Sequence, residues 1–156
     1  MIGNLITVEI DDLLRKQVVG RIGCFVNNKI YVVPVSYAYD DGNVYVHSYE
    51  GQKMEAMRRN PSVCFEVDDL SDMGNWQSVI AWGKFEEITD EYERKQAVRV
   101  LMRRKLPVIS SITTHLGESW PFYSEAEAID GVIFRIVLTE RTGRFEITTN
   151  SPGMYG

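Results

Sequence analysis

The sequence predicts a mainly β, α+β domain whose strands close into a barrel or a covered sheet. Three observations carry this. Ile30–Tyr39 is apolar on both alternating faces, with Tyr31, Val33, Val35 and Tyr37 on one and Ile30, Val32 and Ala38 on the other. A strand apolar on both sides belongs to a barrel or a covered sheet, not to a solvent-facing meander. Asp40-Asp41-Gly42-Asn43 follows at once, and Gly and Asn tolerate the positive φ that a tight hairpin turn needs. Ser78–Ile88 alternates Val79, Ala81, Gly83 and Phe85 against Ile80, Trp82 and Lys84, which reads as another barrel strand.

The elements follow in order. Val8–Gln17 reads as a short amphipathic helix, with Ile10, Leu13 and Leu14 between charged residues. Val18–Val26 is a strand, and Asn27-Asn28 a tight turn into the central strand. Val44–His47 returns antiparallel. The polar run His47-Ser48-Tyr49-Glu50-Gly51-Gln52-Lys53 then leads into a helix carrying Met54 and Met57, stopped by Asn60-Pro61. Val63–Val67 is a strand, and the polar, turn-rich Asp68–Asn75 suits a loop. Asp90 with Glu93 gives a capping-box-like start to a longer helix with an apolar stripe of Ala97, Val98, Leu101 and Met102. Its basic residues, Arg94 to Lys105, read as a solvated face whose last cations favour the helix dipole. Leu106-Pro107 ends that helix. Gly131–Leu138 is the last clear strand, and Thr142-Gly143-Arg144 reads as a turn into a short strand, Phe145–Thr149.

Composition narrows the class. A chain of 156 residues with 44% hydrophobic content is expected to form one domain, residues 1–156, around a single core. A net charge of -5 argues against nucleic acid, which asks for a concentrated basic face. No basic, apolar leader opens the sequence and no apolar run approaches the roughly 20 residues that span a bilayer, so no membrane and a cytoplasmic location are expected. Cys24 and Cys64 sit in strand patterns without a C-x-x-C, and read as buried free thiols. With two histidines in the chain, a histidine-rich metal site is not expected.

The candidate chemistry lies where the second strand of the hairpin meets the helix. The first backbone N–H groups of a helix have no internal partner and attract an anion. Gly51 allows close backbone approach, Ser48 offers a hydroxyl and Lys53 a full charge. This spacing fits a phosphate cradle, although taken alone it favours an ordinary strand-to-helix corner with a solvated lysine.

The order of Val32-Val33-Pro34-Val35-Ser36-Tyr37, the hairpin turn, His47-Ser48 with Gly51 and Lys53, and Asn60-Pro61 resembles the pyridoxamine 5′-phosphate oxidase-like superfamily. Within it the sequence is most similar to the small flavoproteins resembling nitroimidazole-resistance reductases, and Trp76-Gln77-Ser78-Val79 with Gly83 matches a further motif of that group. The resemblance implies a six- to seven-stranded antiparallel split β-barrel with a few flanking helices. It also implies a homodimer with FMN at the subunit interface and an oxidoreductase acting on a small-molecule substrate. By the same resemblance, the strand Val32, Val33, Pro34, Val35, Ser36 and Tyr37 lies along the flavin. His47, Ser48, Gly51, Gln52 and Lys53 lie near the flavin and its phosphate, and Trp76, Gln77 and Ser78 reach the flavin of the second subunit.

Departures from the family pattern limit the reading. Gln52 stands where relatives carry arginine, which leaves one phosphate charge fewer. No histidine lies in Asp68–Asn75, which speaks against nitroimidazole reduction. The arginine-, tryptophan- and histidine-rich C-terminal pattern of the true pyridoxamine phosphate oxidases is missing, since no tryptophan follows Trp120 and no histidine follows His115. Trp120–Tyr123 reads either as a lid or as a dimer contact. A non-catalytic barrel that binds haem, the deazaflavin F420 or a protein partner is the competing reading, because this fold hosts many functions.

Overall fold

The computed structural model describes residues 1–104 and 130–149. The expectations for Leu106-Pro107 and Trp120–Tyr123 lie outside them, as does His115. The described elements are β1 (Ile2–Asn4), α1 (Thr7–Lys16), β2 (Val19–Val26), β3 (Lys29–Ser36), β4 (Ala38–Asp40), β5 (Asn43–Ser48), α2 (Gln52–Arg59), β6 (Ser62–Asp72), β7 (Asn75–Glu87), α3 (Glu91–Arg103) and β8 (Val132–Glu146).

Local chemistry sets the sharp corners. Asn27 and Asn28 have φ of 51° and 61°, and Asp41 and Gly42 have 46° and 80°. Both two-residue loops therefore take positive φ throughout, the conformation whose twist matches the flanking strands. Asp90 caps α3 by accepting the backbone N–H of Glu93 at 3.0 Å. At the start of α1 the backbone N–H of Ile6 donates to Glu9 Oε1 at 3.0 Å, the carboxylate half of a capping box.

The strands pair antiparallel in the order β3-β2-β6-β7-β8-β5-β4, with β1 added alongside β8. The central segment is not one strand. At Tyr37 it changes partner, so that β3 pairs with β2 while β4 pairs with β5. The Tyr37 N–H donates to the Val18 carbonyl at 2.9 Å across this break. The two halves of one sequence segment thus stand at opposite ends of the pairing order. The sheet curls until β3 approaches β5, without hydrogen bonds closing the seam. This is an antiparallel split barrel with flanking helices, as the sequence predicts.

Several expectations need correction. Ile30–Tyr39 is not buried on both sides: Ile30, Val32 and Pro34 face outward from an edge strand that no other described element covers. Asp68–Asn75 is mostly strand. β6 runs on to Asp72 and β7 starts at Asn75, leaving only Met73-Gly74 as the turn. Thr142-Gly143-Arg144 is no turn either, but the interior of a continuous β8 that pairs with β7 along its length. Eight strands result, because the interrupted central segment counts twice and β1 was not foreseen. Met102, read as part of the apolar stripe of α3, is exposed.

The main core joins Ile10, Leu13 and Leu14 of α1 and Met54, Ala56 and Met57 of α2 to inward residues of β2 through β8, such as Ile22, Phe65, Val79 and Phe134. A side chain of Leu14 or Met57 size, wholly buried here, contributes about 1.5–3 kcal/mol. A second cluster packs Ala97, Val98 and Leu101 of α3 on Ala38, Ile88 and Ile133. The helices therefore fix the strand ends that carry the candidate site.

Candidate functional site

β5 delivers His47 and Ser48 to the barrel end with both side chains buried. The His47 Nε2–H donates to the carbonyl of Asp130, which ties the end of β5 to the chain entering β8. Its ring meets that of Tyr49 edge-on at 5.5 Å. The Ser48 hydroxyl donates to the Tyr49 carbonyl at 3.0 Å, which leaves its lone pairs to accept. Gly51 then caps α2 in fully extended backbone, φ 172°, so backbone strain does not explain the glycine. A Cβ there would meet no atom of the described residues within 4 Å.

α2 makes its first backbone bond from Glu55 N–H to Gly51 O at 3.2 Å, so the amides of Gln52, Lys53 and Met54 have no partner within the helix. Gln52 is exposed and Lys53 half-buried. Lys53 has no carboxylate partner among the described residues, and burial pulls its pKa down from the ordinary lysine value. An anion placed there would relieve that cost by restoring a partner to the ammonium.

The edge strand β3 approaches β5 across the seam. Val32 and Pro34 point outward, Val33 is half-buried and Val35 faces the core. The Ser36 hydroxyl is buried without a hydrogen-bond partner among the described residues. A buried hydroxyl left unpaired costs roughly 1–3 kcal/mol, which a ligand's acceptor or donor would offset. Tyr37 belongs to the core rather than to the site. It is wholly buried, meets Phe65 edge-on at 4.9 Å, and its hydroxyl donates to the Leu14 carbonyl at 2.7 Å.

Trp76, Gln77 and Ser78 lie elsewhere. They open β7, which β2 and β6 separate from β3 in the pairing order, so three strand spacings or roughly 14 Å of sheet intervene. With Asp68, Leu70 and Met73 they line a mainly apolar cavity of about 260 Å³. The Trp76 indole N–H donates to Glu146 at 3.0 Å. Ser48, Gly51, Gln52 and Lys53 thus share one strand-to-helix corner, and the Trp76–Ser78 group stands apart at the start of β7.

Sequence reading missed three charge clusters. Arg58, at the last turn of α2, bonds both Glu50 and Glu87. Arg21 faces Glu66 at 3.5 Å and Asp68 at 3.6 Å on the outer sheet face. Asp11, Tyr39 and Arg141 join α1, β4 and β8. None has a local spacing signal, because each depends on sheet register or on a chain reversal. Among the described residues no cluster of His, Cys, Asp and Glu could hold a metal, and no helix is long and apolar enough to cross a membrane.

Known proteins resemble this chain over most of its length. A fold of this shape, with 30% sequence identity and a TM-score of 0.70, occurs in the crystal structure of an FAD-binding protein from Mesorhizobium loti, covering 93% of this chain and 98% of that one. The FAD-binding protein from Mycobacterium smegmatis shares 26% identity with a TM-score of 0.66, over 93% of this chain and 99% of its own. An uncharacterised protein of Rhizobium meliloti is 32% identical over 68 residues, which is 44% of this chain and spans 45% of that protein's length. The family model described as pyridoxamine 5′-phosphate oxidase matches residues 7–145, so the chain belongs to that family.

Proposed function

We propose that the chain is a flavin-binding protein that holds FMN in the Gly51–Lys53 cradle and along β3, and that it reduces or oxidises a small molecule as a homodimer. The observation that carries this is the open cradle itself. Lys53 is half-buried without a carboxylate partner, the first α2 amides have no partner inside the helix, and no atom crowds Gly51, all among the described residues; on the edge strand the Ser36 hydroxyl is likewise buried without a partner among them. These residues fit a phosphate-bearing flavin: Lys53 and the α2 amides would hold the phosphate, and Ser36 and the β3 backbone the ring edge. When bound, flavin supplies the hydride and electron transfer. The chain's own residues anchor, orient and exclude water from it.

The Trp76–Ser78 group cannot reach the same flavin from within one chain across the intervening strands, which is why the reading includes a second copy. The apolar cavity beside Trp76 suits a ring or a small organic substrate. The Mesorhizobium and Mycobacterium relatives are both named as FAD-binding, which favours a flavin and makes FAD the direct rival of FMN here. Two free thiols on different sheet faces fit a reducing compartment such as the cytoplasm.

The test is the bound cofactor. Purified protein should be yellow, bleach on dithionite reduction, and release FMN on denaturation, and release of FAD or haem would replace the assignment. In a fluorescence titration, Lys53→Ala should weaken FMN about tenfold or more, since a charge-assisted hydrogen bond contributes roughly 1.5–3 kcal/mol. Riboflavin, which lacks the phosphate, should bind with little sensitivity to that change. Equal loss for both ligands, or loss for neither, removes Lys53 from the phosphate site.

A further inference from the structure

The cradle has an acidic neighbour that the phosphate has to tolerate. Glu50 immediately precedes Gly51, and its carboxylate stands within the same loop. Arg58 folds back from the last turn of α2 to engage it with both terminal nitrogens, Nη1 to Oε2 at 2.7 Å and Nη2 to Oε1 at 2.8 Å. The other edge of the same guanidinium engages Glu87 at the end of β7, Nε at 3.1 Å and Nη2 at 3.0 Å. Lysine, a point charge without a planar fork, could not match these four bonds. The bond from Arg58 also holds the Glu50 carboxyl below its usual range, so it is a charged acceptor at neutral pH.

We propose that Arg58 is a positioning and specificity residue for the phosphate cradle: by pinning Glu50 to Glu87 it keeps a carboxylate turned away from the anion site. The inference rests on the cradle reading given above. Without Arg58, Glu50 would regain the freedom of an exposed loop carboxylate one residue from the cradle glycine. A unit charge ~6–8 Å from a phosphate dianion across water lowers affinity by about three- to tenfold at low salt. A flavin without phosphate would not feel it. Ordinary surface ion pairs matter little to stability, so the effect belongs to the ligand's charge and not to the fold.

The experiment compares FMN and riboflavin binding, by flavin fluorescence at low salt, to the full chain, Arg58→Ala, the double variant Arg58→Ala/Glu50→Gln, and Lys53→Ala. Arg58→Ala should weaken FMN about three- to tenfold and leave riboflavin within twofold. The double variant should regain most of the FMN affinity, because the repelling charge is gone although the clamp is still missing. Equal losses for both ligands, or no recovery on removing Glu50, overturn the proposal and make Arg58 a structural tie only. If Lys53→Ala is FMN-selective and Arg58→Ala is not, the clamp falls and the cradle stands. If Arg58→Ala is selective and rescued while Lys53→Ala is not selective, the clamp stands and Lys53 loses its role. Arg58→Gln takes the place of Arg58→Ala if the alanine variant does not fold, with the same deciding outcomes.

Discussion

Arg141 reaches from β8 to Asp11 of α1 at 2.6 Å, and Tyr39 joins them, its hydroxyl donating to the same carboxylate at 2.8 Å. The side chains of Arg141 and Asp11 are only 30% and 24% exposed, so each depends on the other for much of its solvation. Removing Arg141 leaves the Asp11 carboxylate half-buried without a counter-charge, with only the Tyr39 hydroxyl bonded to it, which costs more than the pair contributes. Arg141→Met should therefore destabilise the chain by about 1–3 kcal/mol in urea unfolding, and Asp11→Asn added to it should return part of that loss. A double variant as unstable as the two single losses summed would show that the groups do not interact. The sequence made Lys53, Ser48 and Ser36 visible as candidates because they fall in a short ordered motif. Asp11 and Arg141 were invisible, since 130 positions separate them and only the path of β8 past α1 brings them together.

At the level of elements, glycines decide how β8 can run. A Cβ on Gly83 would lie 2.2 Å from the Val137 carbonyl oxygen, backbone that cannot yield without disrupting the β7–β8 ladder. The ladder is already irregular there, with Trp82 opposite Glu140 and Gly83 opposite Leu138. The skipped Thr139 donates its hydroxyl to the Trp82 carbonyl at 3.2 Å. A Cβ on Gly143 would instead meet side-chain atoms of Leu5 and Ile10 at 2.8–2.9 Å, which can move. Gly83→Ala should thus cost about 3 kcal/mol or more and Gly143→Ala about 1–2, read from thermal unfolding; equal costs would mean that β8 shifts as easily as a side chain.

The same glycine explains a misread element. Thr-Gly-Arg looks the same locally whether the chain turns or whether a helix must pack closely on a straight strand. Asp68–Asn75 was misread for a related reason, because polarity there reports an exposed face and a hairpin tip, not a loss of pairing. The Asn27-Asn28 and Asp41-Gly42 turns were legible because positive φ is written in two adjacent residues.

Across the whole molecule, the outer face of β2, β3, β6 and β7 exposes Phe25, Ile30, Val32, Leu70, Ile80 and Trp82. In the middle of this apolar surface sits the Arg21–Glu66–Asp68 cluster, one cation facing two carboxylates. Desolvation, with the adjacent Asp68 adding to it, pushes the Glu66 carboxyl from its ordinary value near 4.5 up to about 7, although Arg21 opposes the shift. A carboxyl whose pKa is raised on folding binds its proton more tightly in the folded chain. Its stabilising contribution is complete below pH 4.5 and is lost as pH rises through about 7. Urea stability should accordingly fall between pH 5 and 8, and Glu66→Gln should flatten that slope. If the proposed homodimer covers this face, a second copy removes still more water from Glu66, and the slope should steepen as protein concentration rises through the association range. A slope unchanged by Glu66→Gln would assign the pH dependence to other groups. A slope that ignores protein concentration would place the dimer contact away from this face.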